Sequence, residues 1–168
     1  VNRDQAEALY GKALDYAGLT GRETVLDLYC GIGTISLALA QKAGQVIGAE
    51  IVPQAIEDAK ENAARNGVTN ARFFCGDAGE VARHLAEEGV RPHVICVDPP
   101  RKGLAAGVPA TLDQMEPQRI VYVSCDPATL ARDVKIFGEL GYRLTEVRCF
   151  DLFPRTAHIE TAALLLRQ

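Results

Sequence analysis

The sequence predicts an α/β fold: a seven-stranded, mostly parallel sheet with helices on both faces and an antiparallel last strand. Three observations predict it. Short apolar, strand-like runs alternate with segments of helical period along the whole chain. Glycines cluster where the first strand hands over to a helix, at Gly31 and Gly33. The last two strand-like runs follow each other without a helix between them. A parallel crossover needs about a dozen residues or more, usually helical, so the final strand is expected to run antiparallel.

Each element has its own signal. Residues 4–16 carry apolar side chains at helical spacing (Ala6, Leu9, Tyr10, Ala13, Leu14) and stop near Gly18. Residues 24–29 form a short buried strand, 30–33 a turn, and 34–43 a helix. Residues 45–50 are a second strand. The next helix, 53–66, has Pro53 at its start, where the missing N–H costs nothing, and Asn66-Gly67 at its end. Strand 71–75 and helix 78–88 follow, then strand 93–97 running into Asp98-Pro99-Pro100. A loop with Gly103 and Gly107 leads to a short helix near 111–115. Strand 120–124 and helix 127–140 come next, and residues 142–150 and 159–166 are the final two strands.

Composition narrows the class. At 168 residues the chain suits one domain able to bury a core. Its apolar share of 48% and charged share of 24% are those of an ordinary globular protein. No apolar run approaches the ~20 residues that span a bilayer, and the polar start VNRDQAEALY has no signal-peptide core. The start also lacks an initiator Met, which reads as a domain excised from a longer protein. A net charge of −4 argues against strong non-specific RNA binding by this piece alone, because phosphate neutralisation dominates such binding. It leaves room for an RNA held mainly by another domain. Cys30, Cys75, Cys96, Cys125 and Cys149 contain no C-x-x-C pair, so no metal site is expected, and their odd, scattered distribution fits reduced thiols in a cytoplasm.

The turn after the first strand reads Asp27-Leu28-Tyr29-Cys30-Gly31-Ile32-Gly33-Thr34. Glycines at such a turn let the backbone approach a ligand closely. Glu50 ends the second strand, where an acid meets a ribose hydroxyl in nucleotide-binding folds. These features point to a nucleoside-containing ligand. The third glycine of the dinucleotide fingerprint is replaced by Ser36, which weakens a nicotinamide dinucleotide. Asp77 precedes a helix and suits two roles equally, an N-cap or an acid beside an adenine. The strand IVYV delivers Ser124-Cys125-Asp126 at its carboxyl end, where parallel sheets place ligands. A thiol there, near the N–H groups of the following helix, can have a lowered pKa. On these observations alone Cys125 is more readily structural than catalytic, and Glu160 is either a solvated strand end or a partly desolvated base with a raised pKa.

The glycine turn, the acid at 50 and D-P-P after the fourth strand together resemble the Rossmann-like class I S-adenosylmethionine-dependent methyltransferases. Three segments are more specific: D-P-P-R-K-G-L (98–104), V-S-C-D-P-A-T-L-A-R-D (123–133) and D-L-F-P-R-T-A-H-I-E-T (151–161). They resemble the signatures of the RNA uracil-5-methyltransferase family, and the likeness spans residues 4–166. The resemblance implies Cys125 as nucleophile and Glu160 as general base. It implies S-adenosylmethionine contacts at Tyr29, Gly31, Gly33, Thr34, Glu50, Asp77 and Asp98; Thr34 stands where the family often has Asn. Asp98 could hold the cofactor or the uracil edge. It further implies methyl transfer to C5 of a uridine in RNA, and the wording of A-T-L-A-R-D and P-R-T-A-H-I-E is closer to the 23S ribosomal RNA branch than to the transfer RNA branch. Family members carry an N-terminal RNA-binding barrel, some with an iron–sulfur cluster, so both belong outside these 168 residues. Arg101, Lys102, Arg132 and Arg155 flank the motifs and suit either RNA phosphates or plain solvated charge. Transfer RNA uracil-5 methylation, RNA cytosine-5 methylation and a catalytically silent cofactor- or RNA-binding module are the alternatives.

Overall fold

The computed structural model describes residues 2–168. Helix α1 (Arg3–Ala17) opens on Asn2, whose side chain accepts from the N–H groups of Asp4 and Gln5, and closes on Gly18 in the left-handed region. Four strands are apolar almost throughout because helices cover both of their faces: β1 (Thr24–Leu28), β2 (Gln45–Glu50), β4 (Val94–Val97) and β5 (Arg119–Ser124). Between them lie α2 (Thr34–Ala40), α3 (Pro53–Arg65), β3 (Ala71–Cys75), α4 (Ala78–Glu87) and α5 (Val108–Gln114). Helix α6 (Pro127–Glu139), β6 (Tyr142–Phe150) and β7 (Glu160–Arg167) complete the chain. Asp77 and Asp126 cap α4 and α6, each accepting two N–H groups of the first turn.

Two boundaries differ from expectation by more than one residue. Helix α2 ends at Ala40 rather than 43, because Gly44 turns back to donate its N–H to the Glu23 carbonyl at 2.9 Å. Helix α5 starts at Val108 rather than near 111, because Pro109 suits a first helical turn behind Gly107.

The strand order is β3-β2-β1-β4-β5-β7-β6. All pairs from β3 to β5 are parallel, and β7 is antiparallel to both β5 and β6, as the missing crossover helix required. One face packs Leu9 and Ala13 of α1 and Leu39 of α2 on Val25, Val46, Cys96, Val121, Val123, Ala162 and Leu164. The other packs Leu85 of α4, Leu112 of α5 and Phe137 of α6 on Leu26, Ile47, Ile95, Ile120, Tyr122, Ala163 and Leu165.

This alternation places the chemistry. Side chains two residues apart on a strand share a face. Asp27 follows Val25, Asp98 follows Cys96, Cys125 follows Val123, and Glu160 precedes Ala162. All four therefore emerge on the α1 face, at the carboxyl edge of the parallel strands.

Candidate active site

Strand order reverses between β1 and β4, the point where open α/β sheets bind ligands. A cleft of two lobes opens there. The larger, about 400 Å³, is lined by Tyr29, Glu50, Ile51, Asp77, Asp98 and Lys102 among others. The smaller, about 210 Å³, is lined by Tyr10, Asp27, Tyr29, Cys30, Gly31, Thr34 and Asp98 among others. Tyr29 and Asp98 belong to both, so the lobes form one elongated groove.

The first turn is built to leave backbone exposed to a ligand. Tyr29 has φ 63°, a left-handed conformation costly for a side chain with a Cβ and typical of functional turns. Gly33 has φ +86°, and an added Cβ would lie 3.2 Å from Ala59 Cβ and 3.3 Å from Phe73. Glu50 fixes the turn from the neighbouring strand: it accepts from Gly31 N at 3.1 Å and from Val52 N at 3.1 Å. Asp77 caps α4 through Gly79 and Glu80 and also lines the larger lobe. Of the cofactor candidates, only Gly33 does not itself line a lobe; it lies beneath the turn, against Ala59 and Phe73.

The reacting candidates meet across two strands. In the β5–β7 ladder Val123 pairs Ala162 and Ser124 pairs Thr161; one further step sets Cys125 opposite Glu160. Directly opposed residues on antiparallel strands hold their Cβ atoms about 5 Å apart. The electrostatics agree: burial, then the Glu160 charge, pushes the Cys125 thiol up, and the backbone N–H and Arg101 pull it down less. The lowering that such a position allows is therefore not realised. The start of α6 spends its first N–H groups on Asp126, and two carboxylates face the sulfur. Burial raises Glu160, while His158 opposes the shift. Asp98 is pushed up to about 7 by burial and the charges of Asp27 and Glu160. Asp27, wholly enclosed, is pushed up to about 7 by burial, with a hydrogen bond from Ser36 pulling the other way.

The basic candidates separate. Arg101 is exposed and lies 3.9 Å from Asp126. Lys102 lines the larger lobe. Arg155, at φ 70°, is exposed on the connection between β6 and β7. Arg132 does not present its guanidinium freely: Nε and Nη2 bind Asp133 at 2.9 and 2.8 Å, and Nη2 also donates to the carbonyls of Lys102 and Leu104. Sequence reasoning missed two groups. Tyr10 was read only as an apolar helix position, yet it lines the smaller lobe and feels Asp98 and Glu160. Asp27 had a legible signal, a lone acid inside the buried strand TVLDL.

The fold is that of the class I methyltransferases: precorrin-6y C5,15-methyltransferase of Geobacter metallireducens shares it at TM-score 0.77 and 15% identity, over 95% of this chain and 88% of that one. The model for tRNA (Uracil-5-)-methyltransferase matches residues 6–168, and the chain belongs to that family. The crystal structure of Pyrococcus abyssi tRNA (uracil-54, C5)-methyltransferase in complex with S-adenosyl-L-homocysteine is similar at TM-score 0.82 and 36% identity, over 96% of this chain and 38% of that one. An uncharacterized RNA methyltransferase of Clostridium acetobutylicum is 53% identical over 99% of this chain, and one from Bacillus cereus 54% identical over 99%. The chain spans about 36% of the length of each of these two relatives.

Proposed function

We propose that this chain is the catalytic domain of a longer enzyme that transfers a methyl group from S-adenosylmethionine to C5 of a uridine in RNA. The observation that carries the reading is the β5–β7 register, which ends at Ser124 on Thr161 and so brings Cys125 and Glu160 together, with the Glu160 charge acting on the thiol. The groove fits the cofactor. Its larger lobe offers Glu50 to a ribose diol and Asp77 to the adenine side, while Asp98, shared by both lobes, and Glu160 next to it set acidic groups at the other end, suited to a cation. When bound there, S-adenosylmethionine supplies an electrophilic methyl group.

The uracil ring needs help because its C5 is a poor nucleophile. The Cys125 thiolate adds to C6, and the C5–C6 double-bond electrons shift toward C4 as an enolate. C5 then takes the methyl group and carries both CH3 and H. Glu160 removes that proton, the C5–C6 double bond re-forms, and the thiolate leaves from C6. A carboxylate with a raised pKa is the better base for this step. The base must leave its helix or loop stack to reach the sulfur.

The 23S ribosomal RNA reading rests on the wording of the 123–133 and 151–161 segments. A transfer RNA substrate is favoured instead by the likeness to the Pyrococcus enzyme. Incubating the full-length enzyme with unmodified ribosomal and transfer RNA and mapping the methylated nucleotide decides between them. RNA bearing 5-fluorouridine is expected to trap a covalent complex, since fluorine at C5 blocks the proton-removal step; 5-fluorocytidine RNA is not. Trapping by Cys125→Ala as efficient as wild type would remove the assigned nucleophile.

A further inference from the structure

Asp133 lies in α6 with 0% exposure, and its carboxylate is saturated. Oδ2 accepts from Leu104 N at 2.8 Å and from the Tyr122 hydroxyl at 2.6 Å, and Oδ1 accepts from Arg132 Nε at 2.9 Å and Nη2 at 2.8 Å. The same Arg132 Nη2 reaches back to the carbonyls of Lys102 at 3.0 Å and Leu104 at 3.1 Å. One turn earlier, Thr129 Oγ1 donates to the Arg101 carbonyl at 2.9 Å. Three of the four residues after Pro100, namely Arg101, Lys102 and Leu104, are thus held by one helix. Gly103 shows how tight the hold is: at φ +75°, an added Cβ would lie 2.6 Å from Arg132 Nη2 and 2.7 Å from Asp133 Oδ2.

The two things joined are those the reaction must keep in register. Helix α6 begins two residues after Cys125. The held loop supplies Pro100, Lys102, Gly103 and Ala105 to the wall of the larger lobe. Only the Asp133 end of the pair is buried, its side chain 1% exposed against 49% for Arg132, and a carboxylate so placed needs its partners. What the pair supplies is direction: Nε and Nη2 of one planar guanidinium converge on Oδ1, while Nη2 also reaches the loop carbonyls, so angle as well as distance is fixed.

We infer that Arg132 and Asp133 are positioning residues that lock the 101–104 loop onto the start of α6, holding the cofactor wall at a fixed separation from the nucleophile. The inference rests on the reading of the larger lobe as the adenosine pocket. It also commits Nε and Nη2 of Arg132 to Asp133 and the loop rather than to RNA phosphate.

The test uses the full-length enzyme, with S-adenosylhomocysteine as probe in titration calorimetry. Arg132→Lys keeps the charge but loses the fork, and Asp133→Asn keeps the shape but loses the anion. Both are expected to weaken binding tenfold or more. Alkylation of Cys125 by iodoacetamide should stay within twofold of wild type, with the buried Cys96 unreactive, which shows that the variants are folded. Ethylguanidinium added to Arg132→Ala is expected to restore affinity saturably, which a general loss of stability would not allow. The salt dependence of RNA binding should be unchanged in Arg132→Lys and Arg132→Gln; a shallower slope in Arg132→Gln would return the residue to phosphate contact and overturn the inference. Affinity within twofold of wild type in both Arg132→Lys and Asp133→Asn overturns it as well, provided Glu50→Gln has lost affinity. If Glu50→Gln binds like wild type, the adenosine pocket itself has been misread.

Discussion

At the scale of single residues, the site is a cluster of acids around one thiol, and its titration follows from that. Burial and Glu160 both hold the Cys125 proton on, so the thiol is less reactive at neutral pH than a free cysteine. Glu160→Gln removes one of those anions. The pH midpoint of iodoacetamide alkylation at Cys125 is expected to move down in that variant, and an unmoved midpoint would separate the two residues. The same variant should accumulate the covalent RNA adduct on denaturing gels, because addition and methylation proceed while proton removal stalls. Asp27 makes a different prediction. Its folded pKa is about 7 against 3.8 for the free side chain, so the native state holds a proton that the unfolded chain has released. Stability is then greatest below about pH 4 for this group and is lost as pH rises toward 7, by at most about 4 kcal/mol. Thermal melting of Asp27→Asn should fall less between pH 5 and 8 than that of wild type. A parallel fall would place the retained proton elsewhere. Cys125 and Glu160 were legible in their motifs, but the sign of the thiol shift was not. It depends on which charges the β5–β7 register brings to the sulfur, and register is a property of the pairing and not of either segment.

At the scale of elements, the parts that repeat a period were legible and the parts that depend on a partner were not. Buried strands such as VICV and RIVYVS announced themselves by composition, and the absence of a helix between β6 and β7 gave the antiparallel ending. The end of α2 was misplaced because it is set by the Glu23 carbonyl, an acceptor on another segment. The hold of α6 on the 101–104 loop was equally invisible, since A-T-L-A-R-D reads as an amphipathic helix until the loop is laid across it. Two substitutions probe how far these elements support the site. Gly33→Ala forces a Cβ into the left-handed turn and toward Ala59 and Phe73. It is expected to cost about 1–3 kcal/mol by denaturant unfolding and to weaken S-adenosylhomocysteine binding as well. Phe137→Ala, at a fully buried position packed edge-on against Tyr142 at 5.9 Å, should cost about 3–5 kcal/mol and leave affinity for S-adenosylhomocysteine nearly unchanged in the fraction that stays folded. Loss of affinity equal to that of Gly33→Ala would mean that the α6 face of the core and the cofactor turn are mechanically coupled.

At the scale of the whole molecule, charge sets what this chain does alone. The sequence carries 18 Lys and Arg against 22 Asp and Glu. Several of the acids, Asp98 and Glu160 among them, gather at the carboxyl edge of the sheet beside the groove. A polyanion approaching that edge meets like charge, relieved locally by Lys102 in the groove wall and Arg101 near Cys125. The cationic methyl donor meets the opposite situation. Each partner therefore needs a different source of affinity: the cofactor finds it in the groove, and the RNA must find it chiefly on the rest of a longer protein, as we propose from the 36% coverage of the relatives. Neutralising each phosphate contributes close to one unit of slope in log affinity against log salt. The 168-residue chain is accordingly expected to bind S-adenosylhomocysteine while its RNA binding stays weak, with a slope small in magnitude between 50 and 200 mM salt (about two phosphates' worth or less). Fluorescence anisotropy of a labelled RNA across that salt range measures it. A steep slope with tight binding by the isolated chain would show that these cations outweigh the acids, and that RNA capture and chemistry share one surface.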